Sequence, residues 1–443
     1  MKVIIGLGKT GFSCAKYLIN KGIKIVIVDS RKYPPELSNL RQVYPHIPVY
    51  LENFHPNILN TAEEIIISPG VSLKQPEIMC QLQQGKSIIG DIELFSRDIK
   101  APVIAITGSN GKSTVTAMVG EMAKNAGLKV GIGGNLGTPA LDLITDPEPN
   151  LYVLELSSFQ LETTSSLRPK TAAVLNISPD HLDRYHDLDE YIAAKMTIYK
   201  NCEQMVINRG QNFYNKSEFL RSYKNLKTAL SFGLDAPQNL NFGFNAGYLM
   251  HGTAKLLSSD ELKIKGTHQI ANALAALALG YAAKLPMEAM LKTLREFSGL
   301  RHRCQLVKRI DGIDWYNDSK GTNVGATQTA IEGLGASISG KIILIAGGQG
   351  KNADFSLLFN GIKKYVRTLI LIGEDAPKLE AALYKAAKII HAQSMLEAVK
   401  YAKAQAQKKD IVLLSPACAS FDMFDNYEHR GEVFIQAVKD VYI

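Results

Sequence analysis

The segment Thr107-Gly108-Ser109-Asn110-Gly111-Lys112-Ser113-Thr114 constrains the fold of this chain more than any other. It follows the apolar run 103–106 and precedes Val115, Met118, Val119, Met122 and Ala126, spaced as one face of a helix. Gly127 supplies a helix stop. A strand, a Gly-rich loop, Gly-Lys-Ser and a helix make the arrangement whose backbone N–H groups wrap a phosphate. The lysine of such a loop reaches the β- and γ-phosphates, and the serine holds Mg²⁺. Ile106 stands where the full pattern has its first glycine, so the motif rests on its context. No Asn-Lys-x-Asp guanine motif occurs, which favours ATP over GTP.

Apolar, β-branched runs recur at 3–5, 25–28, 65–67, 153–156, 172–177, 342–346, 369–372 and 411–414, with helical patterns between them. Apolar strands spaced by helices imply parallel sheets covered on both faces. The expected class is α/β, built from several doubly wound units. A first unit is expected over 1–91, a second over 92–298 and a third over 299–443. Phe297-Ser298-Gly299-Leu300 is the expected hinge before the third. The stretch 201–266 has many Asn and Gly and weak periodicity, so it is expected to be an insertion or a small β region. The run 270–285 is Ala- and Leu-rich and helical in pattern.

The first unit opens with its own glycine loop, Gly6-Leu7-Gly8-Lys9-Thr10-Gly11, between a strand and a helix. Asp29 ends the next strand, in the position that contacts a ribose in dinucleotide folds. No residue set for hydride transfer follows. The loop therefore suits either a dinucleotide or another phosphate, such as that of a uridine nucleotide.

Three further groups carry chemistry. Glu155 ends a buried strand and suits a metal or water ligand beside the phosphate loop. Asp180, His181 and Asp183 crowd a loop after another strand. A helix expected over 187–202 carries Tyr191, Lys195, Ile198 and Cys202 on one stripe. A lysine there either snorkels to solvent or is desolvated, and a desolvated amine can take up carbon dioxide as a carbamate. In the third unit Asp318-Ser319-Lys320-Gly321-Thr322-Asn323, Gly347-Gly348-Gln349-Gly350-Lys351 and Ser415-Pro416-Ala417-Cys418-Ala419-Ser420-Phe421 offer cations, hydroxyls and amides for a second anion. Cys418 has no activating His nearby in sequence and is expected to be structural.

Composition narrows the classes. Fifty Lys and Arg against 42 Asp and Glu give +8, which points to small anions rather than nucleic acid because no basic run interleaves with aromatics. Five scattered cysteines without a C-x-x-C pair argue against zinc and disulfides and for reduced cytoplasmic thiols. No run approaches the ~20 apolar residues of a membrane span, and no signal peptide is indicated.

The phosphate loop, Asp180-His181, Lys195, Gly299-Leu300-Arg301-His302-Arg303, Asp318–Asn323 and Ser415–Phe421 together resemble the Mur ligases, in the same order and over the whole chain. The resemblance implies three domains: a Rossmann-like UDP-substrate domain, a P-loop ATP domain and a Rossmann-like amino-acid domain. It implies a cytoplasmic, monomeric enzyme of peptidoglycan precursor synthesis. The short first domain and the Asp-Ser-Lys segment imply the member that adds D-glutamate to UDP-N-acetylmuramoyl-L-alanine, through an acyl phosphate made from ATP. Two Mg²⁺ ions are implied, with Mn²⁺ as an alternative.

By position, the resemblance puts ATP on Gly108, Ser109, Asn110, Gly111, Lys112, Ser113, Thr114, Gln269, Asn272, Arg303 and Asp318. It puts metal on Ser113, Glu155, His181 and a carbamylated Lys195, with Lys112, His181 and Lys195 catalytic. Thr10, Asp29, Arg31, Gly70 and Asn135 would meet the UDP substrate. Lys320, Thr322, Lys351, Ser420 and Tyr427 would hold D-glutamate. Gln269, Gly321, Asn352 and Tyr427 depart from the residues usual in the family.

Overall fold

A computed structural model describes residues 1–135, 137–180, 184–212, 229–350 and 353–442. The apolar runs become strands of three separate sheets. The first holds β1 (Lys2–Ile5), β2 (Ile25–Val28), β3 (Val49–Tyr50), β4 (Glu64–Ile67) and β5 (Ser87–Ile89). They lie in the order β3-β2-β1-β4-β5 and pair in parallel. This is the Rossmann strand order 3-2-1-4-5, without a sixth strand. The connection from β3 to β4 crosses over β2 and β1, so the loops after β1 and β4 open onto one crevice.

The second sheet holds β6 (Val103–Thr107), β7 (Val130–Gly134), β8 (Leu151–Glu155), β9 (Thr171–Val174) and β10 (Gln204–Asn208). It continues through β11 (Leu230–Phe232), β12 (Phe242–Asn245), β13 (Tyr248–His251) and β14 (Ala254–Ser258). The order is β14-β13-β12-β11-β10-β9-β6-β8-β7. The 201–266 stretch is therefore no detached insertion. Its strands extend the central sheet through β10 and β11, parallel to β9, and finish as an antiparallel meander. Its weak periodicity follows from short strands with polar ends.

The third sheet holds β15 (Gln305–Ile310), β16 (Ile313–Asn317), β17 (Ile342–Gly347), β18 (Val366–Ile372), β19 (Lys388–His391) and β20 (Ile411–Leu414). The order is β15-β16-β20-β17-β18-β19, parallel except for β15. Separate apolar cores cover its two faces, one around Leu344, Leu371 and Leu413, the other around Trp315, Ile345 and Phe434. Burial on both faces explains why these strands are continuously apolar.

The helix expected over 187–202 runs from Leu188 to Met196 and then tightens into a 3₁₀ turn, Thr197–Tyr199. Asp187 caps it by accepting from Glu190 N. The expected stripe is buried all the same: Tyr191, Lys195, Ile198 and Cys202 all face inward.

The first sheet joins the second through the helix Asp91–Ser96. Asp91 is buried there, and its Oδ2 accepts from Gln160 Nε2 at 3.0 Å. Its Oδ1 has no hydrogen-bond partner of good geometry among the described residues. Burial pushes this carboxyl up to about 6; the bonds from Gln160 and the backbone of Ile92 offset only part of the cost.

Candidate active site

The phosphate loop leaves β6 and enters the helix Lys112–Asn125. Gly111, at φ +81°, turns the chain, and a Cβ there would press on Asn272 Oδ1 at 2.5 Å. The loop is laced to the segment after β9. Ser109 N donates to Asn176 O at 2.9 Å, and Asn110 N donates to Asn176 Oδ1 at 2.8 Å. Ser109 Oγ accepts from Ser178 N at 3.0 Å. These bonds tie the loop to the segment after β9.

Two amines converge on one carbonyl. Lys112 Nζ donates to Gly108 O at 2.8 Å, and Lys195 Nζ donates to the same oxygen at 3.0 Å. Lys195 is buried and lies 4.6 Å from the Tyr191 ring centre. Burial first, and the Lys112 charge second, hold its amine well below the usual lysine range; Asp180 and Glu155 oppose them. A neutral amine is the form that reacts with carbon dioxide.

Glu155 ends β8 beside the loop. Its Oε2 accepts from Ser113 Oγ at 2.6 Å and its Oε1 from Asn135 Nδ2 at 2.8 Å. Burial raises this carboxyl, but Lys112, Arg303 and the two hydrogen bonds outweigh it and hold it below its ordinary value. Ser113 and Glu155 thus present hard oxygen donors in one buried spot. That donor set fits Mg²⁺, which usually takes one or two carboxylates, substrate phosphates and water. Among the described residues no three His, Cys, Asp or Glu side chains gather as a self-sufficient metal site. His181, Asp183 and Lys351 lie outside the described residues.

The third sheet completes the site. Arg303 Nη2 donates to Ser113 Oγ at 2.6 Å across 190 positions of sequence. Asn323 Nδ2 donates to Asp180 Oδ2 at 3.1 Å. Gln269, Asn272, Arg303, Asp318 and Lys320 line one cleft with Asn110, Gly111 and Thr114. Four of the residues expected at the nucleotide from outside the loop are therefore its neighbours. Asn272 Nδ2 donates to Gln269 Oε1 at 3.2 Å. Asp318 is buried, with Oδ1 accepting from Cys304 N and Oδ2 from Ser415 Oγ. Burial lifts its carboxyl to about 6 against these bonds and the Arg303 charge.

Of the described residues expected at D-glutamate, Lys320 and Thr322 lie on the loop after β16, Ser420 on the loop after β20, and Tyr427 opens the helix Tyr427–Asp440. Lys320 Nζ sits 3.7 Å from the Tyr427 ring centre. Burial, helped by Arg303, lowers the Lys320 amine to about 8. Thr322 N donates to Lys320 O at 2.8 Å, and Ser420 is buried in the facing loop. Cys418 is buried too, and burial pushes its thiol up to about 12, as befits a structural residue.

Of the residues expected at the UDP substrate, Thr10, Asp29, Arg31 and Gly70 flank the crevice of the first sheet. Asp29 Oδ2 accepts from Leu7 N at 2.7 Å and from Arg31 Nη2 at 2.6 Å, so it shapes the glycine loop and aims Arg31. A Cβ on Gly11 would collide with Gly6 O, which explains that glycine. Asn135 belongs to the central sheet, where it holds Glu155.

Sequence reasoning missed Arg430. This buried side chain donates to Cys418 O, Ala419 O, Ser319 O and Ser319 Oγ at 2.8–3.2 Å. It welds the loops after β16 and β20 into one surface. Its signal was present: Arg430 falls on the apolar stripe of Phe434, Ala437 and Val438 in the helix Tyr427–Asp440, as Lys195 does in its own helix.

A phosphate loop on a central sheet, with a third sheet completing its cleft and a Rossmann-like sheet ahead of it, is the architecture of a nucleotide-using three-domain protein. Three family models match: Mur ligase MurD-like N-terminal domain over 1–90, Mur ligase middle domain over 106–280 and Mur ligase glutamate ligase domain over 302–418. The chain belongs to the Mur ligase family. A protein of Coxiella burnetii (strain Dugway 5J108-111), a UDP-N-acetylmuramoylalanine–D-glutamate ligase, is 54% identical over 441 residues, covering 99% of this chain and 98% of the relative. A protein of the same name from Pseudomonas fluorescens is 48% identical over 444 residues, with the same coverage. The solved UDP-N-acetylmuramate–alanine ligase of Thermotoga maritima superposes with a TM-score of 0.61 at 18% identity, covering 99% of both chains. Among the described residues no helix is long and apolar enough to cross a membrane.

Proposed function

We propose that this chain joins D-glutamate to UDP-N-acetylmuramoyl-L-alanine at the expense of ATP, releasing ADP and phosphate. The observation that carries the reading is the meeting of Lys112, Ser113, Glu155 and Arg303, from two sheets, around one phosphate loop. Relatives 48–54% identical along the whole chain bear the name of that reaction. The L-alanine carboxylate attacks the γ-phosphorus, the bond to the β–γ bridging oxygen breaks, and an acyl phosphate forms. The D-glutamate amine then attacks the acyl carbon and phosphate leaves. Positioning and charge neutralisation do most of the work in such transfers.

In this reading the loop amides and Lys112 hold the triphosphate, and Arg303 brings a third-sheet cation to it. Ser113 and Glu155 would hold Mg²⁺, joined by His181 and Lys195 as its carbamate at a second ion. Bound there, the metal supplies positive charge for the crowded phosphates. Gln269 and Asn272 face adenine, and Asp318 the ribose. Thr10, Asp29, Arg31, Gly70 and Asn135 hold the UDP substrate. Lys320, Thr322, Lys351, Ser420 and Tyr427 hold D-glutamate. The working units are 1–91, 92–298 and 299–443, in a monomeric cytoplasmic enzyme.

The test is phosphate release from ATP and Mg²⁺ with UDP-N-acetylmuramoyl-L-alanine, one amino acid at a time. Release that needs D-glutamate, with a product heavier by one glutamyl residue, is expected. Release driven by another amino acid would reject the substrate assignment, and none at all would reject the ligase reading.

A further inference from the structure

The chain's net charge of +8 is not spread evenly. Five strands of the third sheet run parallel, so their N-terminal ends share one edge, opposite the candidate active site. Lys341 precedes β17, Lys364 precedes β18, Lys385 and Lys388 flank the start of β19, and Lys408 and Lys409 precede β20. All six are exposed. Their spacing is tied to the sheet. Lys341 Nζ donates to Lys364 O at 2.6 Å, and Lys409 N donates to Gly312 O at 2.9 Å.

Acid does little to offset this end. Asp410 is buried, and Arg367 and the backbone of Lys341 occupy both its oxygens. Asp314 is paired with Arg309. Asp311, next to the Gly312 that Lys409 N bonds, and Glu332, close enough to act on Lys364, offset part of the six charges. Tyr384 projects beside Lys385, 60% exposed, with Lys385 Nζ 5.1 Å from its ring centre. An exposed tyrosine among lysines suits a water–lipid boundary, where the ring enters the headgroup layer and the amines meet phosphates. It suits nucleic acid less well: single strands want several exposed aromatic platforms along a basic groove, and here Tyr384 is exposed whereas Tyr365, 4.8 Å from Lys364 Nζ, is half-buried.

We infer that the strand-start end of the third sheet, carrying Lys341, Lys364, Lys385, Lys388, Lys408 and Lys409, docks peripherally on anionic phospholipid membranes. The inference is independent of the ligase reading. The end lies away from the cleft, so a docked molecule keeps its site open.

The test is co-sedimentation of the full chain with phosphatidylglycerol–phosphatidylcholine vesicles and with pure phosphatidylcholine vesicles. Binding is expected to the anionic vesicles only. It should fall at least tenfold between about 0.1 M and about 0.5 M salt, as the screening length shortens from ~10 Å to a few ångströms. The combined variant K385E/K388E/K408E/K409E should lose at least tenfold in binding, with ATP turnover in vesicle-free solution unchanged as the sign that it is folded. If that variant proves insoluble, K385Q/K388Q should bind several-fold more weakly. Equal binding to both vesicle types, or no difference between wild type and variants, would overturn the inference. So would retention on duplex DNA that anionic vesicles do not compete away.

Discussion

Replacing Asp91 by Asn should change how stability depends on pH. Asp91 is buried where the first sheet meets the central one, with Gln160 as its one side-chain hydrogen-bond partner among the described residues. Its carboxyl is raised from 3.8 to about 6, with burial the largest cause. A raised acid stabilises the fold in its protonated form. That contribution is complete below the unfolded value near 4 and is lost as pH rises through about 6. The full shift of about 2 units corresponds to about 3 kcal/mol. Between pH 5 and pH 8 the linkage relation gives a loss of about 1.4 kcal/mol, because at pH 5 the native carboxyl is already about nine-tenths protonated. Asn cannot ionise, so its stability lacks this slope. Urea unfolding of both proteins from pH 5 to pH 8 measures the difference. Wild type should lose about 1.4 kcal/mol relative to Asp91→Asn over that range. A constant difference across the range would refute the argument, because it would mean that Asp91 ionises with the same pKa folded and unfolded.

Arg303→Ala removes a charged hydrogen bond to Ser113, a loss of about 1.5–3 kcal/mol; KM for ATP should rise about ten- to hundred-fold in steady-state phosphate release, and an unchanged KM would count against the contact. Arg430→Met strips four oxygens of their donor in the two D-glutamate loops. It should cost about 2–4 kcal/mol in urea unfolding and raise KM for D-glutamate more than KM for ATP; equal effects on both would indicate a merely global defect. Gly333→Ala should lower stability by about 1–3 kcal/mol although alanine is the better helix former. Its Cβ would meet His268 Nδ1 at 2.6 Å and Cε1 at 3.2 Å; a higher melting temperature would refute the reasoning.

The central machinery was legible because it is local. β6, the loop and the helix Lys112–Asn125 lie in one short segment, and the doubly buried strands announce themselves as unbroken apolar runs. Lys195 was legible because a lysine on an apolar stripe is out of place. β7 was not, since Val130-Gly131-Ile132-Gly133-Gly134 has the composition of a loop. Its glycines are demanded by neighbours: Cβ atoms at Gly131 and Gly133 would strike Tyr152 and Thr138 O. The strands after Gln204 were obscured because three of them form an antiparallel meander with polar faces. The bonds Arg303–Ser113 and Asn323–Asp180 join distant segments, and no periodicity within either segment encodes them. Ser113, Asp180 and Asn323 each stood out in a motif or polar loop of their own, whereas Arg303 was reached only through family resemblance.

Those two bonds have a thermodynamic consequence. The cleft has one wall from the central sheet and one from the third, so any occupant acts as glue between them. Its measured dissociation constant is then the intrinsic constant divided by the fraction of molecules in which the walls already meet. Substitutions at 297–300, between the two walls, are expected to weaken or tighten nucleotide binding by shifting that fraction. Conversely, every bound nucleotide restrains the swing of the third sheet by the same free energy. Affinity would then be set between the two sheets as well as in the pocket.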